Sequence, residues 1–236
     1  MIKKPLNSAK KEEAPMPLND IWYLFQKIVF PIQSTEILFN QYKDSDPIVD
    51  LPNANNIRKQ NLRNYLESFP QRPPILVVGE APGPRGCRFS GVPFTSEAQL
   101  CAHGYLPFAG RQSSARESPY AENTATIFWK ALAPYHPKFF VWNCVPFHPH
   151  KQEKILSIRS PTKREVSFYS GILSELKTLV KPIHILAVGR KAEFGLKQIG
   201  VRPIYLKHPS HGGAREFRTR LARVLARMKW QSEGSG

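Results

Sequence analysis

The chain has 236 residues, 41% of them hydrophobic, and carries 34 Lys and Arg against 18 Asp and Glu, for a net charge of +16. That length and apolar content fit one α/β domain with a full core and exclude a disordered chain. No apolar run approaches the roughly 20 residues of a membrane span, and the basic N-terminus lacks the apolar segment of a secretory signal. The charge favours a polyanionic partner, nucleic acid above all, because each phosphate neutralised by Lys or Arg releases counterions. The three cysteines, Cys87, Cys101 and Cys144, are too few and too spread for a disulfide framework, and a reducing, cytoplasmic setting fits them.

Residues 1–17 read as a flexible basic arm, 18–230 as a single domain and 231–236 as a flexible tail. Residues 18–43 predict two helices separated by Pro31, with Asn19 or Asp20 capping the first and Ser34 the second. After a polar connection over 44–56, Leu62, Tyr65, Leu66 and Phe69 share one face of a helix over 57–69. Four apolar residues, Ile75 to Val78, form a short buried strand that Gly79 ends. The run from Gly79 to Pro93 is so rich in Gly and Pro that it must turn tightly. Thr95 or Ser96 caps a helix to about residue 103; residues 104–122 are irregular; 124–132 is a helix.

FFVWN over 139–143 is a second buried strand and stops in CVPFHPH. With Pro161 at its first turn, one long helix is expected over 162–180, its apolar positions recurring every three or four residues. IHILAV over 183–188 is a third strand, 191–198 a short helix, 204–206 a fourth strand, and 214–230 a final basic helix. Strands alternating with helices imply a mostly parallel sheet covered on both faces. Right-handed crossovers then bring three strand-end loops, GEAPG, NCVPFHP and HPSHGG, to one edge, where open α/β sheets bind ligands.

Those loops carry groups able to do chemistry. Glu80 suits a base or a water-orienting group, or caps backbone amides. Phe94 suits stacking on a planar ligand, or core packing. Asn143 offers an acceptor and two donors, as reading a base edge requires, or bonds loop backbone. His208 could donate to a developing oxyanion, or be structural. His148, His150 and His211 are expected to be solvated or phosphate-facing. There is no CxxC or HxxxH pair, so no metal site is expected, and neither the dinucleotide nor the P-loop glycine pattern is present.

GEAPGPRGCRFSGVPF (79–94), WNCVPFHP (142–149) and HPSHGG (208–213), in this order within about residues 70–230, resemble the uracil-DNA glycosylase superfamily, the first motif being most similar to its GEAPG branch. The resemblance implies a three-layer α/β/α sandwich around a four-stranded parallel sheet, and hydrolysis of the N-glycosidic bond of uracil in DNA. It implies that Glu80 positions the attacking water and His208 donates to the departing base. Gly79, Ala81, Gly83, Phe94 and Asn143 would then line the uracil, with Phe94 stacking on it. Pro82, Ser210, His211, Gly212, Gly213 and Arg215 would contact DNA, single- or double-stranded, uracil-containing or abasic. The residue types suit the reaction, which needs negative charge stabilised on the base, positive charge on the sugar, and a flipped-out nucleotide.

Four departures from the family pattern stand out. Ala81 replaces a polar catalytic residue of other branches. Gly83 stands where the most uracil-selective branch has a Tyr. The last loop holds only small residues where a bulky Leu wedge is usual. No cysteine precedes Cys87, so the four-cysteine iron–sulfur cluster of the GEAPG branch is not expected. A divergent, cluster-free, monomeric glycosylase is the reading, with a non-catalytic or single-turnover binder of uracil-containing or abasic DNA as its alternative.

Overall fold

The computed structural model describes residues 14–210 and 212–228. Helix α1 (Leu18–Leu24) runs into a π-helical turn (Phe25–Val29), and strand β1 (Leu38–Phe39) follows. The second helix expected before residue 43 does not form. Side chains there capture the backbone instead: Asn40 Nδ2 donates to the carbonyls of Val29 and Ile32 (3.1 and 2.7 Å), and Ser34 Oγ accepts from Asn40 N (2.7 Å). Such local bonds compete with a helix. Residues 14–17, assigned to the arm, are docked: Met16 is buried and Ala14 O accepts from Arg72 N.

Helix α2 (Ala54–Glu67) leads to strand β2 (Ile75–Gly79), the short helices α3 (Cys87–Ser90) and α4 (Glu97–Cys101), and α5 (Asn123–Leu132). Next come β3 (Phe139–Asn143), β4 (His148–Pro149), α6 (Lys163–Phe168) and α7 (Ser170–Val180). The chain closes with β5 (His184–Val188), α8 (Arg190–Gln198), β6 (Ile204–Leu206) and α9 (Ala214–Arg227). The single helix expected over 162–180 is broken at Tyr169, whose ψ of 3° leaves the helical range. Thr162 and Glu165 form a capping box at its start.

The strand order is β3-β2-β5-β6, and every pairing is parallel. Val77, Val141 and Leu186 lie at 0% exposure in the middle of three adjacent strands, which is why apolar residues dominate all three. Helices flank this sheet, as the α/β/α expectation holds. β1 pairs antiparallel with β4 and so lays the early segment against the loop after β3.

A buried ion cluster anchors the start of α3. Asp50 accepts from both Arg58 and Arg88, all three with fully buried side chains, and the Arg88 guanidinium lies over the rings of Phe89 and Phe39. The turn that precedes α3 therefore leaves from a fixed point.

Candidate active site

The three strand-end loops meet around one cavity of about 340 Å³, lined from the expected set by Glu80, Ala81, Pro82, Gly83, Phe94, Asn143, His208 and Ser210. Backbone bonds sew the first two loops together: Cys144 N donates to Gly79 O (2.9 Å) and Val145 N to Glu80 O (3.0 Å). The parallel register sets Gly79 directly beside Asn143.

Gly79 does not itself line the cavity but makes it possible. A methyl group there would fall 2.4 Å from the Phe94 ring and 2.6 Å from Asn143 Oδ1. Only a glycine lets those two side chains approach one strand end together. Phe94 sits at φ +53°, a strained setting for an aromatic residue. Its ring stacks on Phe128 at 4.4 Å, and the residue is 7% exposed. The core reading of Phe94 therefore holds for the face against Phe128, while the residue also lines the cavity. Asn143 is 4% exposed, yet its amide has no hydrogen-bond partner among the described residues. A buried amide without a partner loses free energy until a ligand supplies one. Asn143→Asp is accordingly expected to weaken base discrimination by about 1–3 kcal/mol, measured as the ratio of kcat/KM for uracil and for competing bases; an unchanged ratio counts against Asn143 as the reader.

Glu80 is turned toward α8. Its Oε1 accepts from Lys191 N at 3.1 Å, and Gly189, at φ +96°, has no side chain because Glu80 Oε1 would lie 2.2 Å from it. Burial raises the Glu80 pKa, while the amides of Lys191 and Arg190 partly oppose the rise. Glu80 therefore caps amides of a distant helix while lining the cavity. His208 Nδ1 accepts from Ser210 N (3.2 Å) and lies 2.7 Å from Ser210 Oγ. An acceptor Nδ1 leaves the ring proton on Nε2. Ser210, expected at DNA phosphates, thus holds the histidine. Gly213 is required by close approach, since a methyl there would meet His208 O at 2.0 Å, whereas Gly212 stands in open space at φ +79°. Arg215 is exposed on α9, and His211 lies outside the described residues.

Two expectations are corrected. His148 and His150 are neither solvated nor phosphate-facing; they are 1% and 7% exposed. His148 Nδ1 lies 2.9 Å from Pro82 O and Nε2 2.8 Å from Ile155 O, between the first loop and the segment after β4; burial lowers its pKa to about 4, so the neutral ring donates to one of these carbonyls at a time. Sequence reasoning also missed a wall of the cavity made by Ile158, Arg159, Ser160 and Pro161, and a carboxyl, Glu122, on another. Ile158 is 69% exposed and supplies a bulky apolar group at the rim, which the last loop lacks. Arg159 is locked by Glu165 through two bonds of 2.9 and 2.7 Å. Nothing in the local sequence marks these residues, because only the chain's return past the first loop brings them there. Among the described residues, no three His, Cys, Asp or Glu side chains group as a metal site requires.

Residues 66–229 match the family model of the uracil DNA glycosylase superfamily. The fold resembles the crystal structure of wild-type SMUG2 from Pedobacter heparinus with a TM-score of 0.61 and 16% identity, over 90% of this chain and 96% of that one. Among curated proteins no significant match is found. The matched span contains the whole parallel sheet and all three loops that converge on the cavity, and on that ground the chain belongs to the uracil DNA glycosylase superfamily.

Proposed function

We propose that the protein is a monofunctional DNA repair glycosylase that hydrolyses the N-glycosidic bond of uracil and leaves an abasic site. The observation that supports this reading is the convergence of Phe94, Asn143, Glu80 and His208 on one cavity. In it, the flipped uracil stacks on Phe94 and fills the unpartnered amide of Asn143. His208 Nε2–H donates to the base oxygen as the C–N bond breaks and charge builds on the base. Glu80 orients the water that attacks the sugar carbon and stabilises the positive charge there. The reading takes the enzyme as cytoplasmic and monomeric, and uses no iron–sulfur cluster or other metal.

Arg215, Arg218, Arg220, Arg223 and Arg227 are all exposed on α9, the face proposed to bind DNA. If these five carry the phosphate contacts, the logarithm of the binding constant is expected to fall with the logarithm of salt concentration at a slope of about −4 to −5. Fluorescence anisotropy across a salt series checks this, and a flat dependence removes the electrostatic footprint.

The decisive experiment is cleavage of single- and double-stranded uracil-containing oligonucleotides, with alkali to reveal abasic sites. A burst followed by a slow steady state would show that the abasic product is held. A second reading is a non-catalytic or single-turnover binder of uracil-containing or abasic DNA. It is favoured by the engagement of Glu80 with α8 and by Ala81 in a catalytic position. Absence of cleavage together with preferential gel shift of abasic DNA would select it.

A further inference from the structure

Glu122 lies at the N-cap position of α5, where a side chain ordinarily bonds the first amides of the helix. It makes no such bond. Its carboxyl is instead threaded between two glycines of the first loop: a methyl group on Gly83 would lie 2.0 Å from Oε1, and one on Gly86 2.0 Å from Oε2. Both glycines are thereby explained, and so is the departure at Gly83, since the space a Tyr side chain would enter there is held by this acid. The carboxyl lines the cavity and has no hydrogen bond or ion pair among the described residues. Two unpartnered polar groups thus line one cavity, Asn143 beside Phe94 and Glu122 beside Gly83 and Gly86.

We propose that Glu122 is a specificity-determining residue whose carboxyl hydrogen-bonds the bound base at the Gly83 wall of the cavity. This rests on the glycosylase reading above. A neutral carboxyl can donate to a uracil carbonyl, beside the N–H and carbonyl that Asn143 reads. An ionised one only accepts, and it repels the negative charge that builds on the departing base. Burial raises the Glu122 pKa to about 7, so the neutral form is present in the physiological range.

Other titratable and charged groups that share the cavity are Glu80, Cys87, His148, Arg159 and His208. The thiol of Cys87 is pushed well above its ordinary range by burial and by Glu122, and His148 titrates at about 4, so neither changes charge near pH 7. Arg159 is paired with Glu165. Glu80 and His208 remain as groups whose ionisation could also shape a pH profile, and the Glu122→Gln variant separates them from Glu122 because it leaves both in place.

The experiment compares wild type and Glu122→Gln in single-turnover cleavage of uracil-containing single strands from pH 5.5 to 9. The wild-type rate is expected to fall above about pH 7, approaching tenfold per pH unit. Glu122→Gln should lose that fall and keep the base discrimination of the neutral acid, because an amide donates and accepts at every pH. Thermal melting provides the control. A carboxyl that ionises at about 7 when folded, and at 4.5 as a free group, destabilises the fold as pH rises from 4.5 through 7. Glu122→Gln should therefore melt higher than wild type at pH 8.5 and equally at pH 4. If cleavage persists but Glu122→Gln keeps the alkaline fall, this inference is overturned while the glycosylase reading stands. If wild type cleaves nothing, binding of free uracil at pH 6 and pH 9 decides. Binding weakened at pH 9 in wild type but not in Glu122→Gln supports the contact; equal pH dependence in the two, or no binding, overturns it.

Discussion

Replacing His208 with alanine is expected to slow single-turnover cleavage of uracil-containing DNA by about 10²–10³-fold, the loss that follows removal of one preorganised donor to a developing oxyanion. The geometry gives the donor its direction. Ser210 N–H donates to Nδ1 at 3.2 Å, which places the proton of the neutral ring on Nε2. The loss should appear in kcat with binding of uracil-containing DNA nearly unchanged, because the donor acts on charge that is absent from the ground state. Single-turnover rates with a parallel binding titration separate the two. A loss confined to binding would assign His208 to DNA contact, and a wild-type rate would remove it from the chemistry.

Gly79→Ala is expected to cost about 10²-fold, the scale of an ångström-sized misplacement of reacting groups. The added methyl would meet the Phe94 ring at 2.4 Å and Asn143 Oδ1 at 2.6 Å, so the stacking plate and the edge reader are displaced by one substitution. Neither neighbour yields easily: Phe94 is backed by Phe128, and Asn143 ends a strand paired on Gly79 itself. Overpacking of this kind also destabilises by about 1–3 kcal/mol, so a melting curve must accompany the rate to show that the variant is folded. A folded variant with normal cleavage would show that Phe94 and Asn143 need not stand where this strand end holds them.

The features legible in the sequence are those set by neighbours along the chain. Val77, Val141 and Leu186 belong to short apolar runs because strands buried on both faces favour apolar residues on consecutive positions. The fourth strand, Ile204–Leu206, is likewise a short apolar run, IYL. Gly and Pro after Gly79, after Asn143 and after Leu206 marked the loops, and parallel topology is enough to bring such loops together. The family resemblance rested on these same stretches.

What the tertiary structure decided is where side chains go once distant segments meet. Residues 34–43 have a helix-like apolar pattern, yet Asn40 ties down Val29 and Ile32 carbonyls, and β1 buries Leu38 and Phe39 against the segment after β3. The acid of the first loop was visible, but not that Glu80 would reach the amides of α8. His148 and His150 look solvent-facing in a polar, Pro-rich run and are buried because that run folds back over the first loop. Glu122 ends an irregular stretch with no motif around it. Its carboxyl acquires meaning only because Gly83 and Gly86 leave a space and the packing of α5 carries it into that space. Periodicity and turn chemistry act over a few residues and can be read in order. The partners of a buried polar group are chosen by packing between segments far apart in the chain, and that choice exists only in the folded protein.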